Sequence, residues 1–186
     1  MLKIGLTGGI GTGKSEVAFI LSRLGARVVE ADALAREMVT PGSPVLDDLV
    51  ERFGPTILRP DGTLDRAALA SAAFESDEAL RSLNRATHPP LLRRIIEAVE
   101  EAERADPDGV VVVDAALIVE WDIVDLFDVL VVVRSSLETR FARLAGAGMD
   151  RAQVEARIRA QAPEEALVQA ADVVIENDGT LKELEE

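Results

Sequence analysis

The sequence predicts an α/β fold built on a five-stranded parallel sheet, and three observations predict it. Short Val- and Ile-rich runs recur at LKIGLT (2–7), ARVVEAD (26–32), VVVVD (110–114), DVLVVV (128–133) and DVVIEN (172–177). Most of these runs are apolar throughout instead of alternating, as expected of strands buried on both faces. Helical patterns separate them, which implies strand–helix–strand units wound about one sheet. The 48% hydrophobic and 3% aromatic composition fits, because such a core is built from Ala, Val, Leu and Ile. With 186 residues the chain is expected to form one domain.

The bulk composition narrows the partners. Acidic residues outnumber basic ones 34 to 20, for a formal charge of −14, which disfavours nucleic acid or an anionic membrane as the main partner. A phosphate site would then have to be made locally, from backbone N–H groups, a bound cation and a few placed Lys and Arg. The chain has no cysteine, which excludes a disulfide scaffold, zinc–thiolate ligation and a thiol nucleophile, and suits a reducing compartment, with the cytoplasm as the simple expectation. The apolar run at 110–121 is interrupted by Asp114 and is too short to span a bilayer, so a soluble protein is expected.

Between the second and third strands lie nearly eighty residues without a strand pattern, punctuated by TPGSP (40–44), RPDGT (59–63) and THPP (87–90). Helices are expected at about 44–53, 65–73, 77–86 and 90–104, the last two separated by the proline pair. An excursion this long exceeds a plain crossover and reads as an inserted helical subdomain for a second substrate. A second helical stretch, 137–171, has the flexible tip AGAGMD (145–150) and reads as a small lid. The expected division is therefore a core of 1–39, 106–136 and 172–186, an insertion of 40–105 and a lid of 137–171.

The strongest motif is Gly8-Gly9-Ile10-Gly11-Thr12-Gly13-Lys14-Ser15, which matches G-x-x-x-x-G-K-[ST] after a strand and at the start of a helix. Glycines let the backbone turn N–H groups around a phosphate, and the helix N-terminus adds partial positive charge. Lys14 would reach the β- and γ-phosphates, and the Ser15 hydroxyl would hold Mg²⁺. The motif identifies phosphate binding without naming the reaction.

In EADALARE (30–37), Asp32 stands at the carboxyl end of the second strand with Arg36 one helical turn on. Asp32 could take a proton from an attacking hydroxyl or could cap a helix, and Arg36 could fork onto a phosphate. Asp114 ends VVVVD as an outer partner of a Mg²⁺ site would, although a strand-end turn residue is the alternative. His88 is the sole histidine, and a lone histidine is more often structural than catalytic. Arg134, Arg140 and Arg143 follow the fourth strand, where a lid could bring one onto a transferring phosphoryl group.

Read together, LTGGIGTGKS, DALAREMVTPGSPVLDDLVERFG, DGTLDRAALASAAF, LNRATHP, ARIRAQ and ADVVIENDGTLKEL give the chain, over nearly its whole length, a sequence that resembles the dephospho-CoA kinase family. The resemblance implies a P-loop NTPase-like three-layer fold. It also implies transfer of the ATP γ-phosphoryl group to the 3′-hydroxyl of the dephospho-CoA ribose, with Mg²⁺. On this likeness Asp32 matches the general base, and Arg36, His88 and Leu117 match the acceptor side. Arg143 matches a lid arginine. Gly8, Gly9, Gly11, Thr12, Gly13, Lys14, Ser15 and Glu16 match the ATP loop, and Asn177 and Gly179 match the loop beside the adenine. Two stretches depart from the family: Ala116-Leu117-Ile118-Val119-Glu120 replaces its usual Pro-Leu-Leu-Phe-Glu, and a second lid arginine gives way to the Gly/Ala stretch 145–148. The alternatives are another small-molecule kinase of this loop class, acting on a nucleoside monophosphate or a sugar, or an ATP-binding module without catalysis. Oligomeric state is open, with a monomer the simpler expectation.

Overall fold

The computed structural model describes residues 1–186. In chain order the elements are β1 (Leu2–Gly8), α1 (Lys14–Arg23), β2 (Arg27–Glu30), α2 (Ala31–Glu37), α3 (Pro44–Phe53), α4 (Arg66–Ala73), α5 (Asp77–Ala105), β3 (Val110–Asp114), β4 (Val129–Arg134), α6 (Leu137–Gly146), α7 (Arg151–Arg159), α8 (Glu164–Ala170), β5 (Val173–Glu176) and α9 (Leu181–Glu185). The expected five-stranded parallel sheet is present, in the order β2-β3-β1-β4-β5.

The two strands flanking β1, which are the most valine-rich, are also buried: Val111, Val112, Val113, Leu130, Val131, Val132 and Val133 are all in the core. β-Branched side chains with restricted χ1 pack well on a pleated surface covered on both faces. Leu6, Val17, Ala18, Val112, Val131 and Val133 form one cluster, in which α1 seals the sheet. β1 lies at the centre, and its neighbours β3 and β4 are registered Leu6 on Asp114 and Gly8 on Val133. The chain leaves β1 toward β2 and leaves β3 toward β4 on the other side, so the crevice at the carboxyl ends of β1 and β3 is the topological switch point.

The chain divides into two compact units, residues 1–30 with 99–186, and residues 31–98. The helical unit thus begins at Ala31 and ends at Ala98, where the sequence suggested 40–105. Within it, Leu46, Leu49, Ile57, Leu64, Leu69 and Ala86 make a separate core. The RPDGT turn is closed by Asp61, which accepts from the Thr63 amide and hydroxyl, with Gly62 at φ 80°. Asp65 caps α4 by accepting from the Ala67 and Ala68 amides. The DGTLDR segment therefore works here as a turn followed by a helix cap.

One expectation fails. The proline pair does not break the helix: α5 runs unbroken for 29 residues with Pro89 and Pro90 inside it. Each proline lacks the N–H that would bond the carbonyl four residues back, so two ladder bonds are lost. Burial offsets the loss, since Leu91, Ile95 and Ala102 recur on one helical stripe and are 8%, 1% and 1% exposed.

Candidate active site

The Gly8–Ser15 loop leaves the central strand and enters α1, whose N-cap Gly13 lies at φ 89° with no side chain capping the helix. An uncapped N-terminus leaves amide donors free for an anion. What shapes the loop is a set of contacts to its outer side. The buried Thr12 carbonyl accepts from Asn177 Nδ2 at 2.9 Å and Arg143 Nη1 at 3.3 Å, and Ser135 Oγ, 3.2 Å from it, gives its one proton to the Asn177 carbonyl at 2.5 Å. Because the C=O and N–H of a trans peptide point in opposite directions, tying this carbonyl outward turns the Gly13 N–H inward. Thr12 Oγ1 donates to the Gly9 carbonyl at 2.9 Å and closes the turn. A Cβ on Gly13 would collide with Asn177 Nδ2, so this position needs glycine both for its φ and for space.

At the mouth of the loop Lys14 Nζ pairs with Asp114 Oδ1 at the end of β3. Asp114 is 9% exposed, so its carboxylate needs this cation. Ser15 is exposed in the first turn of α1, Glu16 beside it is half-buried, and Gly11 sits at φ 79°.

The arginines expected from a lid have definite tasks. Arg143 Nη1 also donates to Ser135 Oγ at 3.1 Å and Nη2 to Asn177 Oδ1 at 3.3 Å, so its guanidinium lies along the loop wall. Arg134 bridges Glu164 and Glu176, both at 3.3 Å. Arg140 is buried with its Nε on the Ile10 carbonyl at 2.7 Å, and burial lowers its pKa against the opposing pull of Glu164. Arg151 pairs with Glu155 and stacks 4.4 Å over the Phe141 ring.

Asn177 is 5% exposed, and its backbone N–H donates to the Arg134 carbonyl at 2.8 Å. The next residue, Asp178, accepts from Ser136, and the Thr139 and Ser136 hydroxyls with the Ser136 amide hold its carboxyl below the usual range. Gly179 leads into α9, whose Thr180–Glu183 capping box occupies the space a Cβ there would enter. Leu117 lies in the turn after β3 and is 38% exposed.

The remaining expected residues belong to the helical unit. Asp32 is exposed in the first turn of α2, after the helix start at Ala31, and does not act as its N-cap. Arg36 is exposed in the last turn of the same helix. His88 is half-buried within α5, and burial pushes its pKa below the ordinary value. Sequence reasoning gave no role to Ser135 or Gln161, which both hold the loop; ARIRAQ flagged the second of these only as part of a motif.

A family model described as Dephospho-CoA kinase matches residues 2–183. The dephospho-CoA kinase of Corynebacterium glutamicum is 46% identical over 185 residues, 99% of this chain and 92% of that protein. The dephospho-CoA kinase of Thermobifida fusca is 45% identical over 186 residues, 100% of this chain and 92% of that protein. A solved Thermus thermophilus protein superposes with a TM-score of 0.85 at 34% identity, covering 99% of this chain and 92% of its own. A Campylobacter jejuni dephospho-CoA kinase shares the fold at a TM-score of 0.65 and 21% identity, covering 98% and 91%. With its phosphate loop intact and matched over nearly its full length, this chain belongs to the dephospho-CoA kinase family.

Proposed function

We propose that the protein transfers the ATP γ-phosphoryl group to the 3′-hydroxyl of the dephospho-CoA ribose, giving coenzyme A and ADP. The observation that carries this reading is the donor cradle. The Thr12 and Ile10 carbonyls are held by side chains outside the loop, which turns the Gly13 and Gly11 N–H groups the other way, inward, and Lys14 stands at its mouth against Asp114. Family membership supplies the acceptor.

In this reading the inward amides and Lys14 bind the β- and γ-phosphates, and Lys14 exchanges its contact with Asp114 for the triphosphate. Asp32 takes the proton of the 3′-hydroxyl as its oxygen bonds to the γ-phosphorus. The bond from that phosphorus to the β–γ bridging oxygen breaks, and ADP leaves. Arg143, along the loop wall, adds positive charge beside the group in transfer. Arg36, His88 and Leu117 hold the acceptor, and Asn177 and Gly179 border the adenine.

The residues suit Mg²⁺. Ser15 offers an exposed hydroxyl, and Asp114 a carboxylate beside Lys14. A few hard oxygen donors fit an ion that keeps several waters and binds mainly through substrate phosphates. When bound, the ion would neutralise charge on the phosphate oxygens, with Asp114 acting through a water. Every assigned residue comes from one chain, so a monomer suffices. No helix is long and apolar enough to cross a membrane, and the cysteine-free composition suits the cytoplasm.

A coupled assay of ADP release with ATP, Mg²⁺ and an acceptor panel tests the proposal. Dephospho-CoA should be turned over in preference to a nucleoside monophosphate or a sugar. Turnover of another acceptor alone would overturn the substrate assignment, and ATP binding with no product from any acceptor would favour a non-catalytic module.

A further inference from the structure

The Ile10 peptide groups, at the crown of the phosphate loop, are held from behind on both sides. The Ile10 N–H donates to Gln161 Oε1 at 2.8 Å, and the Ile10 carbonyl accepts from Arg140 Nε at 2.7 Å. The two holds come from different elements, since Arg140 is on α6 and Gln161 lies in the linker between α7 and α8. Arg140 is 4% exposed, with Glu164 Oε2 3.6 Å from its Nη1. A charge so buried keeps its place only when its donors are satisfied, which makes its geometry well defined.

The approach is close enough to dictate sequence. A Cβ on Gly9 would lie 2.6 Å from Arg140 Nη2, and one on Gly11 would lie 2.9 Å from Leu144 Cδ1 and 3.3 Å from Arg140 Cβ. A side chain at either glycine would thus displace Arg140 or Leu144 of the helix behind the loop, and at Gly11, φ 79°, it would strain the backbone as well. Tying the Ile10 carbonyl outward aims the Gly11 N–H, which shares its peptide plane, to the opposite side, into the cradle. Engaging the Ile10 N–H with Gln161 fixes the preceding plane, between Gly9 and Ile10.

We propose that Arg140 and Gln161 are a pair of positioning residues that set these two peptide planes and thereby the affinity of the loop for the donor's phosphates. The pair rests on the reading of the loop as the nucleotide site and is independent of which acceptor is used. Its effect is preorganisation: with both planes fixed, nucleotide binding need not order the loop.

Titration calorimetry with ADP and Mg²⁺ tests the pair in Arg140→Met, Gln161→Met and the double variant, with thermal unfolding to establish that each is folded. Each single change should weaken ADP about tenfold, in line with the loss of one hydrogen bond that is fully used. Because both act on the same residue, the double variant should fall well short of the hundredfold product. The KM for ATP should rise about tenfold and that for dephospho-CoA less than twofold, a split that general loosening of the fold would not give. Arg140→Lys, which keeps a donor on a long stem, should recover most of the affinity. Folded Met variants that bind ADP within twofold of the parent would overturn the proposal, as would single losses that multiply in full. Should Arg140→Met not fold, the half-exposed Gln161→Met carries the test alone. A parent that fails on dephospho-CoA while the variants still lose ADP affinity would remove the acceptor assignment and leave the pair standing.

Discussion

The two compact units carry their candidate chemistry in opposite ways. In the sheet unit the polar groups that shape the loop are buried and already bonded within the chain: Thr12 is 1% exposed, Arg140 4% and Asn177 5%. In the helical unit Asp32 and Arg36 are exposed and His88 is half-buried. The contrast teaches that the proposed donor side is shaped by the chain's own contacts, whereas the proposed acceptor side presents groups that a ligand would have to order. Changes in the sheet unit should therefore disturb structure and nucleotide binding together, and changes in the helical unit should mostly spare the fold.

Within the sheet unit Lys14→Met should give the largest effect. It removes the cation at the cradle and leaves Asp114 without the ammonium it faces. Steady-state turnover should fall by about 10²- to 10³-fold, the loss expected for one preorganised donor on developing charge. A fall under tenfold would mean that Lys14 is not on the phosphates.

A glycine pair sharpens the comparison further. Gly13 and Gly42 have similar φ, 89° and 82°, but a Cβ on Gly13 strikes Asn177 while one on Gly42 meets nothing within 4 Å. Gly42→Ala should cost only the backbone strain, about 1 kcal/mol, and Gly13→Ala about 2–3 kcal/mol, with nucleotide affinity lost as well. At about 2–4 °C per kcal/mol for a chain of this size, thermal unfolding separates the two. Equal shifts would mean that the Asn177 contact yields freely.

The smallest effect should come from pH. Burial places the His88 pKa below its ordinary 6.5, so the folded chain keeps this ring neutral while the unfolded chain is protonated first as the pH falls. Its contribution to stability is present above about pH 6.5 and declines below that until the folded group titrates as well. Denaturant unfolding of the parent and of His88→Gln at a series of pH values should show a shallower acid-side decline in the variant; parallel curves would contradict the assignment.

The loop and the sheet were legible in the sequence because their signals are local. Glycines, Lys14 and flanking apolar runs are all read within residues 2–24, and VVVVD and VLVVVR carry the β-branched signature of buried strands. The contacts that aim the loop were not legible, since Ser135, Gln161 and Asn177 meet it across sequence separations of 123, 151 and 165 residues. The sequence offers Arg143 as a cation for a transferred group; its bonds to Thr12, Ser135 and Asn177 along the loop wall depend on the fold and are not readable from the sequence. The unbroken α5 was missed because the proline rule weighs two lost backbone bonds and cannot weigh the burial of Leu91 and Ile95.

The exposed Asp32 is where the proposed division between a prebuilt donor side and an open acceptor side is tested most directly. Asp32→Asn should keep the fold and the affinity for ADP with Mg²⁺ within about twofold, while single-turnover transfer from ATP to dephospho-CoA slows by about 10²- to 10⁴-fold, the range for loss of a general base. Transfer at the parental rate in a variant that binds both substrates would contradict the account.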